Sequence, residues 1–242
     1  VPDNSELQLV DERIAGKMPQ ALDFSAAAAL PLTSLTAWEL LFDRLDVPLD
    51  ERGDGKSLLV IGAAGGVGSI LVQLARKLTR LTVVGTASRA ETRDWVLEHG
   101  AHHVIDHSRP LAAEIQRAGL SAPDYVISLT HTDQHFDQIV EAIAPQGKFG
   151  LIDDPAPIDV RQLKRKAVSL HWELMFTRSL FSTPDMIRQH EILDRVADLI
   201  DAGTLRSTAN ENFGRIDAAN LKRAHALIES NRAQGKIVLA GF

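Results

Sequence analysis

The chain has 242 residues, 45% of them hydrophobic, enough for one large α/β domain or a domain with an appendage and too many for a disordered chain. Its formal net charge of -6 argues against nucleic acid as the main partner, because phosphate backbones call for a basic surface. There is no cysteine, which excludes disulfides, cysteine nucleophiles and thiolate zinc sites within the chain.

Residues 1–22 read as an extended piece, with Leu7, Leu9 and Val10 apolar, a polar Asp11-Glu12-Arg13 corner, and an end at Lys17-Met18-Pro19. A helical pattern follows over 24–30, Pro31 interrupts it, and a second helix carries Thr36 through Phe42. No uninterrupted apolar run reaches the roughly 18 residues of a membrane span. Residues 26–30 are too short and too poor in flanking charge for a signal peptide. The expectation is therefore no membrane partner and a cytoplasmic location, with room upstream of Val1 for a segment that the chain does not include.

After a polar turn at 49–56, apolar strands and amphipathic helices alternate. The pattern predicts strands at 57–62, 81–85, 103–105, 124–129, 148–152 and 168–172, with helices at 67–78, 89–99, 110–118, 136–143 and 160–166. Right-handed crossovers then give a doubly wound parallel sheet, and six strands are the number of a full Rossmann fold. Helices at 185–202 and 217–230 and a short apolar strand at 235–241 supply a C-terminal helix and return strand. The basic run Arg161, Lys164, Arg165 and Lys166 reads as a solvated helix face, and Tyr125, inside an apolar strand, as core.

Two places in this alternation carry chemistry. The first strand runs into Gly62, Ala63, Ala64, Gly65, Gly66, Val67 and Gly68 before a helix begins. That is a dinucleotide cradle in which Gly65 leaves room for a pyrophosphate, Gly68 lets the helix approach the strand, and the helix N-terminus offers unpaired N–H groups. Ala63 replaces the first glycine of the G-x-G-x-x-G pattern.

The second strand ends at Ala87, Ser88 and Arg89, without the acid that would bind a ribose 2′-hydroxyl and repel a 2′-phosphate. A hydroxyl and a guanidinium there suit a phosphate dianion, which favours NADP(H) over NAD(H). The same absence argues against a methyltransferase using S-adenosylmethionine. The alternative is that Ser88 and Arg89 only cap the next helix.

Together with Leu30-Pro31-Leu32-Thr33-Ser34-Leu35-Thr36-Ala37-Trp38, Gly100 to Asp106 and Gly235 to Leu239, these motifs resemble the medium-chain dehydrogenase/reductase superfamily. The likeness is greatest to its quinone oxidoreductase branch, which includes zinc-type alcohol dehydrogenase-like proteins. The resemblance implies a remnant of an N-terminal GroES-like catalytic domain at 1–22, a Rossmann NADP-binding domain at 23–216, and a C-terminal helix and strand at 217–242 that pack back towards the catalytic domain. It implies Thr36, Leu151, Ile152, Phe176 and Thr177 at the nicotinamide end, Ala63 to Val67 along the pyrophosphate, and Ser88 and Arg89 at the 2′-phosphate. His107 falls near the adenine ribose and Leu129 over the adenosine, whereas His131 and His135 read as solvated loop residues.

Zinc-dependent relatives carry a cysteine ligand four positions before the threonine, where this chain has Leu32, so the expectation is a zinc-independent reductase with no metal site. The implied activity is NADPH-dependent reduction of a small quinone or α,β-unsaturated carbonyl, in a homodimer joined through the sheet edge at 168–172. Its proton donor is unknown and its catalytic half lies upstream, so the chain alone is expected to bind without turnover. The alternatives are a zinc-dependent alcohol dehydrogenase and a non-catalytic NADPH-sensing module.

Overall fold

The structure, a computed structural model, describes residues 7–241. The alternating elements fall into two units, Thr36–Leu174 and a second made of residues 7–35 and 175–241.

Within Thr36–Leu174 the strands are β1 (Ser57–Ile61), β2 (Thr82–Thr86), β3 (His103–Ile105), β4 (Tyr125–Ser128), β5 (Lys148–Leu151) and β6 (Ser169–Trp172). They form one sheet in the order β3-β2-β1-β4-β5-β6, and every pair is parallel. This is the doubly wound Rossmann arrangement expected from the sequence, and the order reverses between β1 and β4. Strands covered on both faces need apolar residues at successive positions. Leu58 to Ile61 and Tyr125 to Ile127 are accordingly all buried.

Helices α3 (Gly66–Leu78), α4 (Ala90–Glu98), α5 (Leu111–Arg117) and α6 (Thr132–Ala142) form the crossovers. One side of the sheet is a continuous core in which Ile61, Val126, Phe149 and Leu151 meet Leu111, Ile115, Phe136 and Ile139. Trp95 of α4 donates to Ser69 Oγ of α3 at 2.8 Å, which joins the two helices that follow β1 and β2.

In the second unit, α1 (Phe24–Ala28) starts under Asp23, whose carboxylate accepts from the Ala26 N–H at 2.8 Å. Helix α2 (Pro31–Trp38) begins in this unit and ends in Thr36–Leu174, and it takes Pro31 as its first residue, where the missing N–H costs nothing. The N–H groups of Lys17, Gln20 and Ala21 donate at 2.8, 3.1 and 2.9 Å to Asp194 and Asp201 of the long helix Arg188–Asp201. The strands β7 (Ala209–Asn212) and β8 (Lys236–Val238) pair in parallel as a separate two-stranded sheet.

Four expectations change. Helix α6 begins at Thr132, ahead of the expected 136, because an acid distant in sequence caps it. Residues Val160–Lys166 form a 3-10 helix rather than a regular amphipathic one, and Lys166 is not simply solvated, since its ammonium donates to the carbonyls of Glu141 and Ile143 at 2.7 Å each. Strand β7 is polar, Ala-Asn-Glu-Asn, and gives no apolar alternation to read. The stretch Phe24–Arg44 counts as 21 helical residues at a mean hydropathy of 1.2, which by length and composition alone is enough for a membrane span. It breaks between α1 and α2, continues beyond Trp38 as a π-helical stretch, Glu39–Arg44, and is more than half buried within the fold.

The contact that sets α3 against β1 is at Gly68. A Cβ there would collide with the Gly62 carbonyl oxygen and lie 2.6 Å from the carbonyl carbon of Ala63, backbone atoms that cannot step aside. Gly68→Ala should therefore cost at least about 1 to 3 kcal/mol in denaturant unfolding, as overpacking does. At Gly65 a Cβ would meet only the Gly62 carbonyl at 3.5 Å, so Gly65→Ala should cost no more than about 0.5 kcal/mol, a capping difference.

Candidate functional site

The cradle is built where β1 ends. Gly62 has φ +81°, and a side chain there would also press on Leu129 and Thr130, so the turn demands glycine on both counts. The turn closes with Gly65 N–H donating to Gly62 O at 3.1 Å, and the first helical bond of α3 runs from Ser69 N–H to Gly65 O at 2.9 Å. The N–H groups of Gly66, Val67 and Gly68 consequently have no acceptor within the helix, and Gly65 at the N-cap supplies none from a side chain. A 13-residue helix with an uncapped, half-buried amino end concentrates positive potential over the Ala63–Val67 turn. This end lies at the carboxyl edge of β1, where the sheet order reverses and the neighbouring β4 runs out into Leu129.

At the end of β2, Ala87 is 2% exposed and its N–H donates to Ile105 O at 3.0 Å, so the chain turns outward only after it. Ser88 is exposed and Arg89 half-buried. The start of α4 is served by Thr92, whose hydroxyl accepts from Arg89 N–H at 3.3 Å and donates to Arg89 O at 2.8 Å, while the Arg89 side chain makes no capping bond. Arg89 is itself the N-cap residue of α4, and the side-chain part of that cap comes from Thr92. The guanidinium pairs with Glu91 at 3.4 Å, a partly exposed ion pair of at most about 1 kcal/mol.

Beyond β3, His107 sits in a turn with its ring edge-to-face with His135 of α6, centroids 5.9 Å apart and planes at 76°. Both rings are half-buried, and among the described residues neither Nδ1 has a hydrogen-bond partner. Burial pushes both imidazoles below the usual histidine range, opposed at His107 by Asp106 and reinforced at His135 by His107 and then His131. His131 has φ 50° and bonds through Nδ1 to Thr130 Oγ1 at 2.7 Å. The solvated-loop reading of His131 and His135 is therefore corrected. They stand at the α6 N-cap and one turn into the helix, and the unbroken polar run 130–135 concealed that helix start.

Sequence reasoning also missed Asp153, directly after Ile152. Its carboxylate accepts from Thr132 N–H at 2.9 Å and from the Thr132 hydroxyl, taking over the N-terminal end of α6. Leu151, the last residue of β5, is buried, and Leu129 and Ile152 are half-buried at the carboxyl ends of β4 and β5. Thr36 is 5% exposed, near the end of α2. The remaining pair expected from the sequence, Phe176 and Thr177, lies in the other unit, at the N-cap and first residue of the short helix Thr177–Leu180.

The sheet order and the uncapped glycine turn define a Rossmann-type dinucleotide-binding domain. A family model described as zinc-binding dehydrogenase matches residues 99–239. A zinc-type alcohol dehydrogenase-like protein of Staphylococcus aureus is 36% identical over 241 residues, which are 98% of this chain and 71% of that protein. A Rhizobium etli protein assigned to the zinc-dependent alcohol dehydrogenases superposes with a TM-score of 0.93 at 58% identity, covering 97% of this chain and 69% of the other. A quinone oxidoreductase of Pseudomonas aeruginosa is 29% identical over 97% of this chain and 70% of its own length. The chain belongs to the zinc-binding dehydrogenase family of medium-chain oxidoreductases.

The metal in the family's description does not fit the donors in this chain. Leu32, at the expected cysteine position, is an alkyl side chain, and the sequence has no cysteine elsewhere. Among the described residues, no group of three or more His, Asp or Glu is placed to hold a metal ion.

The Asp153 cap yields a direct test. Asp153→Ala should lower stability by about 1 to 2 kcal/mol, the loss of an N-cap carboxylate. Amide exchange should rise first at Thr132 to His135, and unchanged protection there would show that α6 does not rely on this cap.

Proposed function

We propose that this chain is the NADP(H)-binding part of a zinc-independent reductase acting on small quinones or α,β-unsaturated carbonyls. The observation that carries the cofactor choice is the end of β2. A buried, uncharged Ala87 is followed by an outward Ser88 and by a half-buried Arg89 whose guanidinium pairs with the partly exposed Glu91. The glycine cradle fits the pyrophosphate, since the volume a Cβ at Gly65 would fill is open and the N–H groups of Gly66 and Val67 lack acceptors within α3.

In this reading the N–H groups of Gly66 to Gly68 hold the pyrophosphate, with Ala63 and Ala64 alongside. Ser88 and Arg89 hold the 2′-phosphate, and Leu129 with His107 covers the adenosine. Thr36, Leu151 and Ile152 serve the nicotinamide end, to which the resemblance adds Phe176 and Thr177. When bound, the reduced cofactor supplies a hydride for the electron-poor carbon of the substrate. The chain's own contribution is binding and orientation. Its single tyrosine, Tyr125, is buried in β4 with its phenol pushed up by burial, which makes it a poor proton donor. The donor is left to substrate-side groups outside this chain or to water. The quinone or enone class is supported by the likeness to the Pseudomonas quinone oxidoreductase and by the lack of a fitting zinc ligand at Leu32.

Calorimetric titration tests the cofactor assignment. A charge-assisted contact to the 2′-phosphate of about 1.5 to 3 kcal/mol predicts NADPH binding at least about tenfold tighter than NADH. Arg89→Ala should erase the preference by weakening NADPH alone. Equal affinities in the unaltered protein would contradict the assignment. Quinone-dependent NADPH oxidation by the complete protein should persist in a strong chelator, whereas chelator-sensitive activity would favour the zinc-dependent alcohol dehydrogenase.

The homodimer is proposed on the same footing. Strand β6 closes one end of the sheet and pairs only with β5, and Trp172 at its end is 54% exposed. An uncovered parallel edge of this kind invites a twofold mate. Light scattering at about 50 µM should give twice the chain mass. A monomeric mass there would count against pairing through β6.

A further inference from the structure

Beside the nicotinamide-end residues lies a buried acid pair that the cofactor reading does not use. Glu39 begins the π-helical stretch Glu39–Arg44, three residues after Thr36, and Glu173 follows directly on β6. They are 0% and 3% exposed. The wide turn is fixed by Leu45 N–H donating to Leu40 O at 3.0 Å, and it sets Arg44 one turn beyond Glu39 on the same side. Arg44 Nε donates to Glu173 Oε2 at 2.7 Å, and its Nη2 stands 3.7 Å from Glu39 Oε2.

One guanidinium therefore serves two buried carboxyls. The second oxygen of Glu173, Oε1, is buried with no donor among the described residues, while its carboxyl lies within hydrogen-bond reach of that of Glu39. Two carboxylates can share such a contact only if one of them carries a proton. The Glu173 N–H donates to Leu151 O at 3.0 Å, so this carboxyl is anchored to the strand end that leads into Ile152.

We propose that Glu39 and Glu173 are positioning residues joined by one shared proton, bracing the helical segment that carries Thr36 against the strand ends that carry Leu151 and Ile152 and so fixing the nicotinamide end of the cofactor site. The inference rests on the cofactor reading above. Among the described residues the charged groups acting on Glu173 are Glu39 and Arg44. Burial, and next the Glu39 charge, push Glu173 from 4.5 up to about 8 against the opposing pull of Arg44.

The sign follows from a raised acid. The folded protein holds a proton that the unfolded chain releases near 4.5, so this site's contribution to stability is complete below that value and is lost as pH rises through about 8. Below about 8 the brace is closed. Above it, two carboxylates face one guanidinium and the contact between the two segments opens.

The test measures NADPH affinity from about pH 7 to about pH 9, alongside infrared spectra of the carboxylic acid C=O band, in the unaltered protein and in Glu173→Gln and Glu39→Gln. In Glu173→Gln an amide N–H replaces the shared proton and removes the titrating carboxyl, whereas in Glu39→Gln the neighbouring charge is gone and Glu173 gives up its proton at a lower pH, so at least one folded variant keeps the test open. The expected result is a C=O band that disappears at alkaline pH and an affinity that falls up to about tenfold over this range, both absent from Glu173→Gln and displaced to lower pH in Glu39→Gln. A flat affinity with no band in the unaltered protein, or the same pH profile in both variants, would overturn the brace. Failure to bind NADPH at any pH while the band still titrates would instead retire the cofactor reading, and the positioning role with it.

Discussion

The site depends on one close approach, that of the first turn of α3 to the backbone at the end of β1. Because Gly68 has no side chain, the helix can rest on the carbonyls of Gly62 and Ala63 and aim its amino end along the crevice where the sheet order reverses. Gly85 in β2 allows a similar approach from the other side, since a Cβ there would meet Ala63 at 2.9 Å as well as Val96. The turn is therefore held between two strands and a helix by positions that tolerate no added atom. That rigidity fixes the direction of three backbone N–H groups that have no acceptor within the helix, which is what the proposed pyrophosphate site requires.

Around this fixed point, selectivity is assigned to softer features. The pyrophosphate is common to NAD and NADP, so the cradle cannot distinguish them, and the choice falls to the chain just past β2. There the structure supplies a buried alanine, an exposed serine and an arginine whose present partner is a partly solvated glutamate. A surface pair is worth less than a guanidinium contact to a phosphate dianion, which is why the proposed 2′-phosphate contact falls to Arg89.

What the sequence conveyed and what it hid divide by range. The strands, the glycine turn and the end of β2 were legible because each is a local pattern, an apolar run closed by residues with particular backbone or charge requirements. The start of α6 was not, because its cap comes from Asp153 on another loop, 21 residues away. Strand β7 escaped because a polar strand in a two-stranded sheet has no face to bury. The Glu39, Arg44 and Glu173 cluster escaped for the same reason as Asp153. Arg44 and Glu173 are 129 residues apart, and only the fold shows that two buried glutamates share one partly exposed arginine.

The central claim is that the N–H groups at the start of α3 and the side chains past β2 recognise, respectively, the pyrophosphate and the 2′-phosphate of one NADP(H) molecule. Amide-resolved NMR with the cofactor and its fragments addresses it directly. NADPH should shift the amide signals of Gly66, Val67, Ser88 and Arg89 together. Adenosine 2′,5′-bisphosphate, which lacks the pyrophosphate, should perturb Ser88 and Arg89 strongly and the α3 amides little. Shifts confined to one of the two places with NADPH, or an equal response of Ser88 and Arg89 to NADH, would contradict the account.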